Sequence, residues 1–343
     1  MDISIEAISN RLLAAFLRPR FLRLLGSDQL TILMYHGLIE RPMVMPDPCM
    51  IHVDQFRSQM KFLKKNFNVV SLNKSIELLK AGELTEPTVV LTFDDGYQSN
   101  YDLAFPILRE EQLPATIFLT TRFTDTDTTI WPGILHNAFS FTAKTHFIWR
   151  GQHFDLRTPT SKAMSLRQIK STLKSESQIL VTENVEYIVS ELSGDSPITL
   201  GAQSPYRMLN SESIKSLAAS DLINLGAHTQ NHYILSRLPD SMQETEIQQS
   251  VKNVSILSGE PCALFAYPNG SRRDYNNCSL AILQRTGILA ALTTETGTCN
   301  GDTPLLELPR INVNSETGMA YFGLSLFNIP GRLKSFLNIN TNG

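Results

Sequence analysis

The sequence predicts an α/β fold built on a parallel sheet and interrupted by one large insertion. Short apolar runs, each ending in polar or small residues, recur along the chain as strands buried on both faces do. Segments of helical spacing fall between them, the alternation that implies parallel strands with crossover helices. From about Thr124 to Ser211 this rhythm breaks into a Ser- and Thr-rich stretch, which reads as an insertion on a loop of the main domain.

Taken in order, Leu30 to Tyr35 is the first predicted strand. Gln55 to Asn66, with apolar Phe56, Met60, Phe62 and Leu63, reads as a helix. A weaker strand at Asn68 to Ser71 and a second helix at Ser75 to Lys80 precede a strand at Val89 to Phe93. Tyr101 to Glu111 is the next helix and Ala115 to Leu119 the next strand. The insertion opens on Asp125-Thr126-Asp127-Thr128-Thr129 and closes through Gly194-Asp195-Ser196-Pro197 and Ser204-Pro205. A structureless loop of that length is improbable, so it should carry its own, partly helical, elements. Beyond it come a strand at Leu222 to Gly226, a helix at Ser241 to Leu257, strands at Ala263 to Tyr267 and Leu289 to Thr293, and a weaker strand at Leu306 to Ile311.

Composition narrows the function classes. At 343 residues, 42% hydrophobic and 18% charged, the chain is neither disordered nor fibrous. Its length allows two domains or one barrel with additions. A net charge of −3 creates no field to gather polyanions, so nucleic acid is not an expected partner. Cys49, Cys262, Cys278 and Cys299 form no close pairs and read as ordinary thiols. The first 25 residues are apolar and basic, but the unbroken apolar run Leu12 to Leu17 is followed by arginines, not by a small-residue cleavage site. No stretch approaches the roughly 18 apolar residues of a membrane span, and the expected location is cytoplasmic. Residues 1–25 have two readings: a helix packed on the domain and broken near Pro19, or an amphipathic segment peripheral to the inner membrane face, with Arg11, Arg18, Arg20 and Arg23 near anionic head groups.

Two predicted strand ends carry metal-ligand chemistry. Leu91-Thr92-Phe93-Asp94-Asp95-Gly96-Tyr97 places adjacent carboxylates at the C-terminal end of a strand, where α/β folds keep their active sites. Where the strand gives way to a turn, both can reach one cleft, one holding a metal and the other handling a proton. Asp-Asp-Gly also makes a good turn on its own. Gly226-Ala227-His228-Thr229-Gln230-Asn231-His232 places two imidazoles four residues apart, able to meet one ion if the chain turns helically after the strand. Asp, two His and a water form the open arrangement of a catalytic zinc site.

At these residues the chain resembles the polysaccharide deacetylase family, also called the NodB-homology or carbohydrate esterase 4 family. Thr92-Phe93-Asp94-Asp95-Gly96, His228-Thr229-Gln230-Asn231-His232 and Phe265-Ala266-Tyr267-Pro268-Asn269-Gly270 look like its first three motifs, in order and spacing. Leu33-Met34-Tyr35-His36-Gly37 resembles the first strand of the branch that includes the poly-N-acetylglucosamine deacetylases. The resemblance covers about 30–122 and 212–313. It implies a distorted (β/α)7-type barrel over residues 29–320 with an insertion at about 124–211, a segment 1–28 before it and a tail 321–343 after it. It also implies a divalent metal, zinc being the expected ion, held by Asp95, His228 and His232, with Asp94 as general base. The N–H following the Tyr97 turn would receive the oxyanion, and Tyr97, Tyr267 and Pro268 would shape the substrate site. The implied reaction is removal of acetyl groups from N-acetylhexosamine residues of a polysaccharide, an oligosaccharide or a lipid-linked precursor.

The chain departs from the pattern in two places. Many members carry a late Leu-x-His that supplies the acid, but here the strand reads Leu306-Glu307-Leu308-Pro309-Arg310-Ile311. His36 is the expected acid, as in the poly-N-acetylglucosamine branch, although a strand-end His can also simply bond the barrel rim. The third motif lacks the upstream Arg that orients the base, Pro261, Cys262, Ala263 and Leu264 standing there, and Arg310 is its expected substitute. Trp131 is a candidate sugar-stacking residue, against the commoner packed role. His52 reads as structural with Asp54 as an N-cap, and His136, His146 and His153 read as surface positions. No phosphate loop or nucleophile elbow occurs. A catalytically inactive carbohydrate-binding protein on the same fold, or a metal-dependent phosphoester hydrolase, are the alternatives.

Overall fold

The computed structural model describes residues 29–194, 199–201 and 203–327. The basic segment 1–28 lies outside the described residues, as does most of the expected tail. The barrel elements run β1 (Leu30–Tyr35), β2 (Gly37–Ile39), β3 (Met50–His52), α1 (Val53–Asn66), β4 (Asn68–Val69), α2 (Leu72–Ala81) and β5 (Thr88–Phe93). A π-helical turn (Asn100–Ala104) leads into α3 (Phe105–Glu111), followed by β6 (Ala115–Leu119). The insertion holds α4 (Trp131–Phe141), the hairpin β7 (His146–Trp149) and β8 (Gln152–Asp155), α5 (Pro159–Ser175) and α6 (Val181–Ser193). The chain returns through α7 (Ser211–Ala218), β9 (Ile223–Ala227), α8 (Asp240–Ser258), β10 (Leu264–Ala266), α9 (Asn277–Arg285), β11 (Ala290–Thr296), β12 (Leu308–Asn312) and α10 (Met319–Ser325).

β1 pairs in parallel with both β12 and β5, so seven strands, in the order β1, β12, β11, β10, β9, β6 and β5, close into a barrel. This is the distorted (β/α)7-type barrel. β4 adds only a short pairing at the start of β5. Because strand side chains alternate, two apolar layers form. Leu30, Ile32, Val90, Phe118, Leu264, Ala266, Leu292 and Leu308 fill the interior. Leu33, Tyr35, Leu91, Phe93, Ile117, Phe265 and Ile311 face the helices. Phe56, Met60 and Leu63 of α1, four and three residues apart, are fully buried in that outer layer, worth about 1.5–3 kcal/mol each. Gly226 is required by close packing: a Cβ there would lie 2.5 Å from the Phe118 ring and 3.0 Å from the Leu264 carbonyl.

The insertion has a core of its own, made of Trp131, Leu135, Phe139, Leu166, Ile169, Leu173, Val185, Ile188 and Leu192 among others. It is tied to the barrel mouth on two sides. Tyr206 Oη donates to Asp47 Oδ2 at 2.8 Å, on the segment that follows His36. Thr182 Oγ1 lies 2.7 Å from Tyr233 Oη, and Gln178 Oε1 accepts from the Ile234 N–H, both just after His232.

Three local expectations are corrected, and two short strands are added. The N-cap of α1 is His52, whose Nδ1 accepts from the Asp54 N–H, so Asp54 stands in the first turn instead. His136 is buried in α4, its Nε2 3.4 Å from the Pro46 carbonyl and 4.0 Å from Asp47 Oδ2. The short strands β2 and β3, which pair with each other, were hidden by their three-residue length. Residues 321–327 are not tail-like, since Phe322 is buried in the outer layer and Leu326 accepts a bond from Thr31 Oγ1.

Candidate active site

Alternation along β5 sends Val90, Thr92 and Asp94 to the barrel interior, and along β12 it sends Leu308 and Arg310 there too. Arg310 and Asp94 therefore meet inside the mouth, 216 positions apart in sequence. Arg310 Nη1 donates to Asp94 Oδ1 and Nη2 to Oδ2, both at 2.7 Å, a bidentate fork. The guanidinium is itself pinned by the Thr293 carbonyl (2.7 Å) and Thr92 Oγ1 (3.2 Å) and is 1% exposed. Burial pushes the Asp94 carboxyl up, but Arg310, with His228 and His36, pulls harder and holds it below its usual range.

Continued alternation would turn Asp95 out beneath the helices. Its φ of 73°, with Gly96 at 81°, re-aims the side chain into the mouth. Thr229 and His232 also have positive φ (62° and 59°). Such conformations cost of order 1–3 kcal/mol each in non-glycine residues and persist only where surrounding bonds impose them. Here the Thr121 and Arg122 N–H groups donate to the Thr229 and Gln230 carbonyls, and the His232 N–H donates to Thr229 Oγ1. The Gln230 and Asn231 N–H groups are taken by Glu246 of α8.

One ligand atom each from Asp95, His228 and His232 lies within 4.8 Å of the others. His228 Nδ1 lies 2.7 Å from the Ala266 carbonyl, which can only accept, so Nδ1 carries the hydrogen and Nε2 presents its lone pair. That Nε2 and the Nε2 of His232 lie 3.5 and 3.2 Å from Asp95 Oδ1. Despite these distances Oδ1 is buried with no hydrogen-bond partner of acceptable geometry, as is His232 Nδ1. Lone pairs converging on one point in a buried site are satisfied by a cation, and a carboxylate with two imidazoles suits zinc. The residues thus fit a divalent metal. Burial pushes the Asp95 carboxyl up, but the two imidazoles bring it well below its usual value. His232, penalised by burial and by the neighbouring His228, is pushed down, while His228, beside both carboxylates, is drawn up in spite of its burial. His36 sits at the end of β1, half-buried, with Nδ1 lacking a partner and its carbonyl held by Asn100 Nδ2 at 2.6 Å.

The remaining candidates lie elsewhere. Tyr267 is fully buried on the outer side of β10, stacked on Tyr275 at 4.1 Å with its hydroxyl on the Leu306 carbonyl. The reason is register: Ala266 faces in, so Tyr267 must face the helices. Pro268 is buried as well. Tyr97 packs with Met50, Ile130, Tyr206 and Met208 and exposes no ring face. The N–H that follows it, on Gln98, is spent on the Arg207 carbonyl at 2.7 Å and is not free for an oxyanion. In that short antiparallel bridge Tyr97 opposes Met208 at a position without bonds between the two, so its own N–H points away from Met208. Trp131 is 5% exposed in the insertion core and offers no face to a sugar. Among residues the sequence reading passed over, Glu246 left a faint signal. Gln243, Glu246 and Ser250 place polar side chains at helical spacing on a buried face of α8.

Among the described residues no helix is long and apolar enough to cross a membrane. The profile of the polysaccharide deacetylase family matches residues 81–291, more than half of the chain. YxkH of Bacillus subtilis (strain 168), provisionally named a polysaccharide deacetylase, is 23% identical over 297 residues, 86% of this chain and 75% of that protein. The poly-beta-1,6-N-acetyl-D-glucosamine N-deacetylase of Staphylococcus epidermidis is 26% identical over 167 residues, 48% of this chain and 56% of that enzyme. The Streptococcus pyogenes deacetylase PplD, solved in complex with acetate, superposes with a TM-score of 0.58 at 19% identity, over 87% of this chain and 98% of that one, and shows the same fold. Barrel, profile and relatives agree, and the chain belongs to the polysaccharide deacetylase family, hydrolases acting on carbon–nitrogen bonds other than peptide bonds.

Proposed function

We propose that the protein is a metal-dependent deacetylase of N-acetylhexosamine residues, of GlcNAc type, in a glycan or a lipid-linked glycan precursor of exopolysaccharide synthesis. The observation that carries this reading is the Asp95, His228 and His232 donor set beside an Asp94 clamped by Arg310. The relatives that act on poly-N-acetylglucosamine favour the sugar.

In this reading Asp95, His228 and His232 hold the ion, zinc by its donor set. When bound, the ion supplies Lewis-acid polarisation of the acetamide carbonyl and a lowered pKa for water in the cleft. Asp94, kept ionised by Arg310, accepts the proton of the attacking water on a lone pair that the fork leaves free. The Tyr97 N–H donates to the carbonyl oxygen as it gains charge. His36 protonates the departing nitrogen, because an amide anion is too basic to leave near neutral pH. Arg310 and Asp94 are 1% and 2% exposed, and this burial strengthens their pair.

The test is metal content together with acetate release from N-acetylglucosamine oligomers. Asp95→Ala and His228→Ala should lose both. Asp94→Asn should keep the metal and lose turnover by about 10²–10⁴-fold, the usual worth of a general base. Full turnover in Asp94→Asn removes the reading.

A further inference from the structure

We infer that Glu246 is a positioning residue for the metal centre, setting His232 through the backbone of the loop between the two imidazoles. The inference rests on the metal reading above. Glu246 lies in the middle of α8, 4% exposed, and its carboxylate is turned to that loop. Its Oε2 accepts from the N–H groups of Gln230 (2.9 Å) and Asn231 (2.8 Å), and its Oε1 accepts from Asn231 Nδ2. Two successive N–H groups converging on one oxygen form an anion cradle of the kind that usually takes a phosphate or carboxylate from outside. Here the chain supplies the anion itself.

The loop needs such a hold. Thr229 and His232 bracket Gln230 and Asn231 in left-handed conformations that neither a β-branched residue nor a histidine prefers. On the other side of the loop, β6 and the residues that follow it hold the His228 N–H and the Thr229 and Gln230 carbonyls. Glu246 takes the N–H groups that point the opposite way, so the loop is gripped from both sides. Burial pushes its carboxyl above the usual range despite these donors, a penalty that a helix buried by Ile247, Val251 and Val254 does not need to bear for packing alone. Through this grip, His232 Nε2 stands 3.2 Å from Asp95 Oδ1. Partners that orient metal ligands from outside the ligand set are typically worth 10–100-fold in metal affinity.

The experiment compares Glu246→Gln, Asn231→Ala and wild type by zinc dissociation constant in chelator competition and by the visible spectrum of the cobalt-substituted proteins. Gln keeps the shape but loses the negative charge and one of the two acceptor oxygens, setting an N–H₂ against the Asn231 amide or the loop N–H groups, so the zinc constant should rise about 10–100-fold and the cobalt bands should shift. Asn231→Ala, which removes one donor and leaves α8 intact, should move both readouts the same way by a few-fold. The melting temperature of the metal-free proteins is recorded beside these, and a purely structural role for Glu246 would lower it while leaving the cobalt bands unchanged. Wild-type affinity and spectrum in both variants overturn the inference, and if Glu246→Gln does not fold, Asn231→Ala alone decides. Asp95→Ala is the control: zinc binding equal to wild type there overturns the metal reading itself, and the positioning role falls with it.

Discussion

Replacing Arg310 with Met tests the centre of the site most directly. The substitution keeps an unbranched, buried side chain and removes only the guanidinium. Asp94, 2% exposed in the wild type, then loses both of its 2.7 Å bonds and is left a buried carboxylate without its cation. Breaking one side of a buried pair costs about 3–5 kcal/mol, against a total stability of about 5–15 kcal/mol for a domain, so the variant should fold but melt early. The linkage has a definite sign. In the wild type the Asp94 carboxyl lies below its ordinary value, so it contributes stability above the usual carboxylate range of about 4 that is lost as pH falls through the lower folded value. In Arg310→Met burial is opposed only by His228 and His36, so the carboxyl rises from its wild-type value, the group contributes less stability at neutral pH and the deficit should shrink toward acid. Urea titration of the metal-free proteins at several pH values reads this. Adding Asp94→Asn to Arg310→Met should recover stability, with a coupling of about 0.5–3 kcal/mol. Acetate release should fall by about 10²-fold or more from misplacement of the base, with the acidic limb of its pH profile moved upward. A loss below 1 kcal/mol, or strict additivity with Asp94→Asn, would refute the reasoning.

Three further outcomes follow from the geometry. His36→Ala should keep the metal and lose turnover by about 10²–10⁴-fold, read as metal content against kcat; unchanged kcat removes His36 from proton transfer. Trp131→Ala should cost about 3–5 kcal/mol in chemical denaturation, while Trp131→Phe leaves KM for oligomers unaltered, because the indole packs in the insertion core; a selective rise in KM would return Trp131 to the sugar. Gly226→Ala should destabilise by about 1–3 kcal/mol, since its Cβ meets the Phe118 ring and the Leu264 carbonyl; a neutral effect in a thermal melt would mean that β9 can shift outward.

Much of the barrel was legible because its strands are buried on both faces and so read as continuous apolar runs, Leu30–Tyr35 and Ala115–Leu119 to the residue. The insertion hid its elements behind its Ser and Thr content. Yet Leu166, Ile169 and Leu173, then Val181, Val185, Ile188 and Leu192, repeat at helical spacing, and a period count over 159–193 would have found α5 and α6. Tyr267 could also have been placed from parity, since Leu264 and Ala266 fill the interior and their odd neighbours cannot.

That Asp94, Asp95, His228 and His232 come together was readable from sequence, because each pair sits within five residues at the end of one strand, although the left-handed turns that aim Asp95 and His232 were not. Arg310 was reachable only through a motif's missing residue, and Glu246 only as one of three polar residues on a buried face of α8. Their partners lie 216 and 15 or 16 positions away, and nothing local encodes the distance between two strand ends or between a helix and a loop. Barrel closure decided the first, by setting β12 beside β1 and thus Arg310 against Asp94. The packing of α8 on the loop decided the second. The sequence determined which chemistry the chain carries; the closed barrel determined which charges are buried together, because burial and pairing belong to the whole fold.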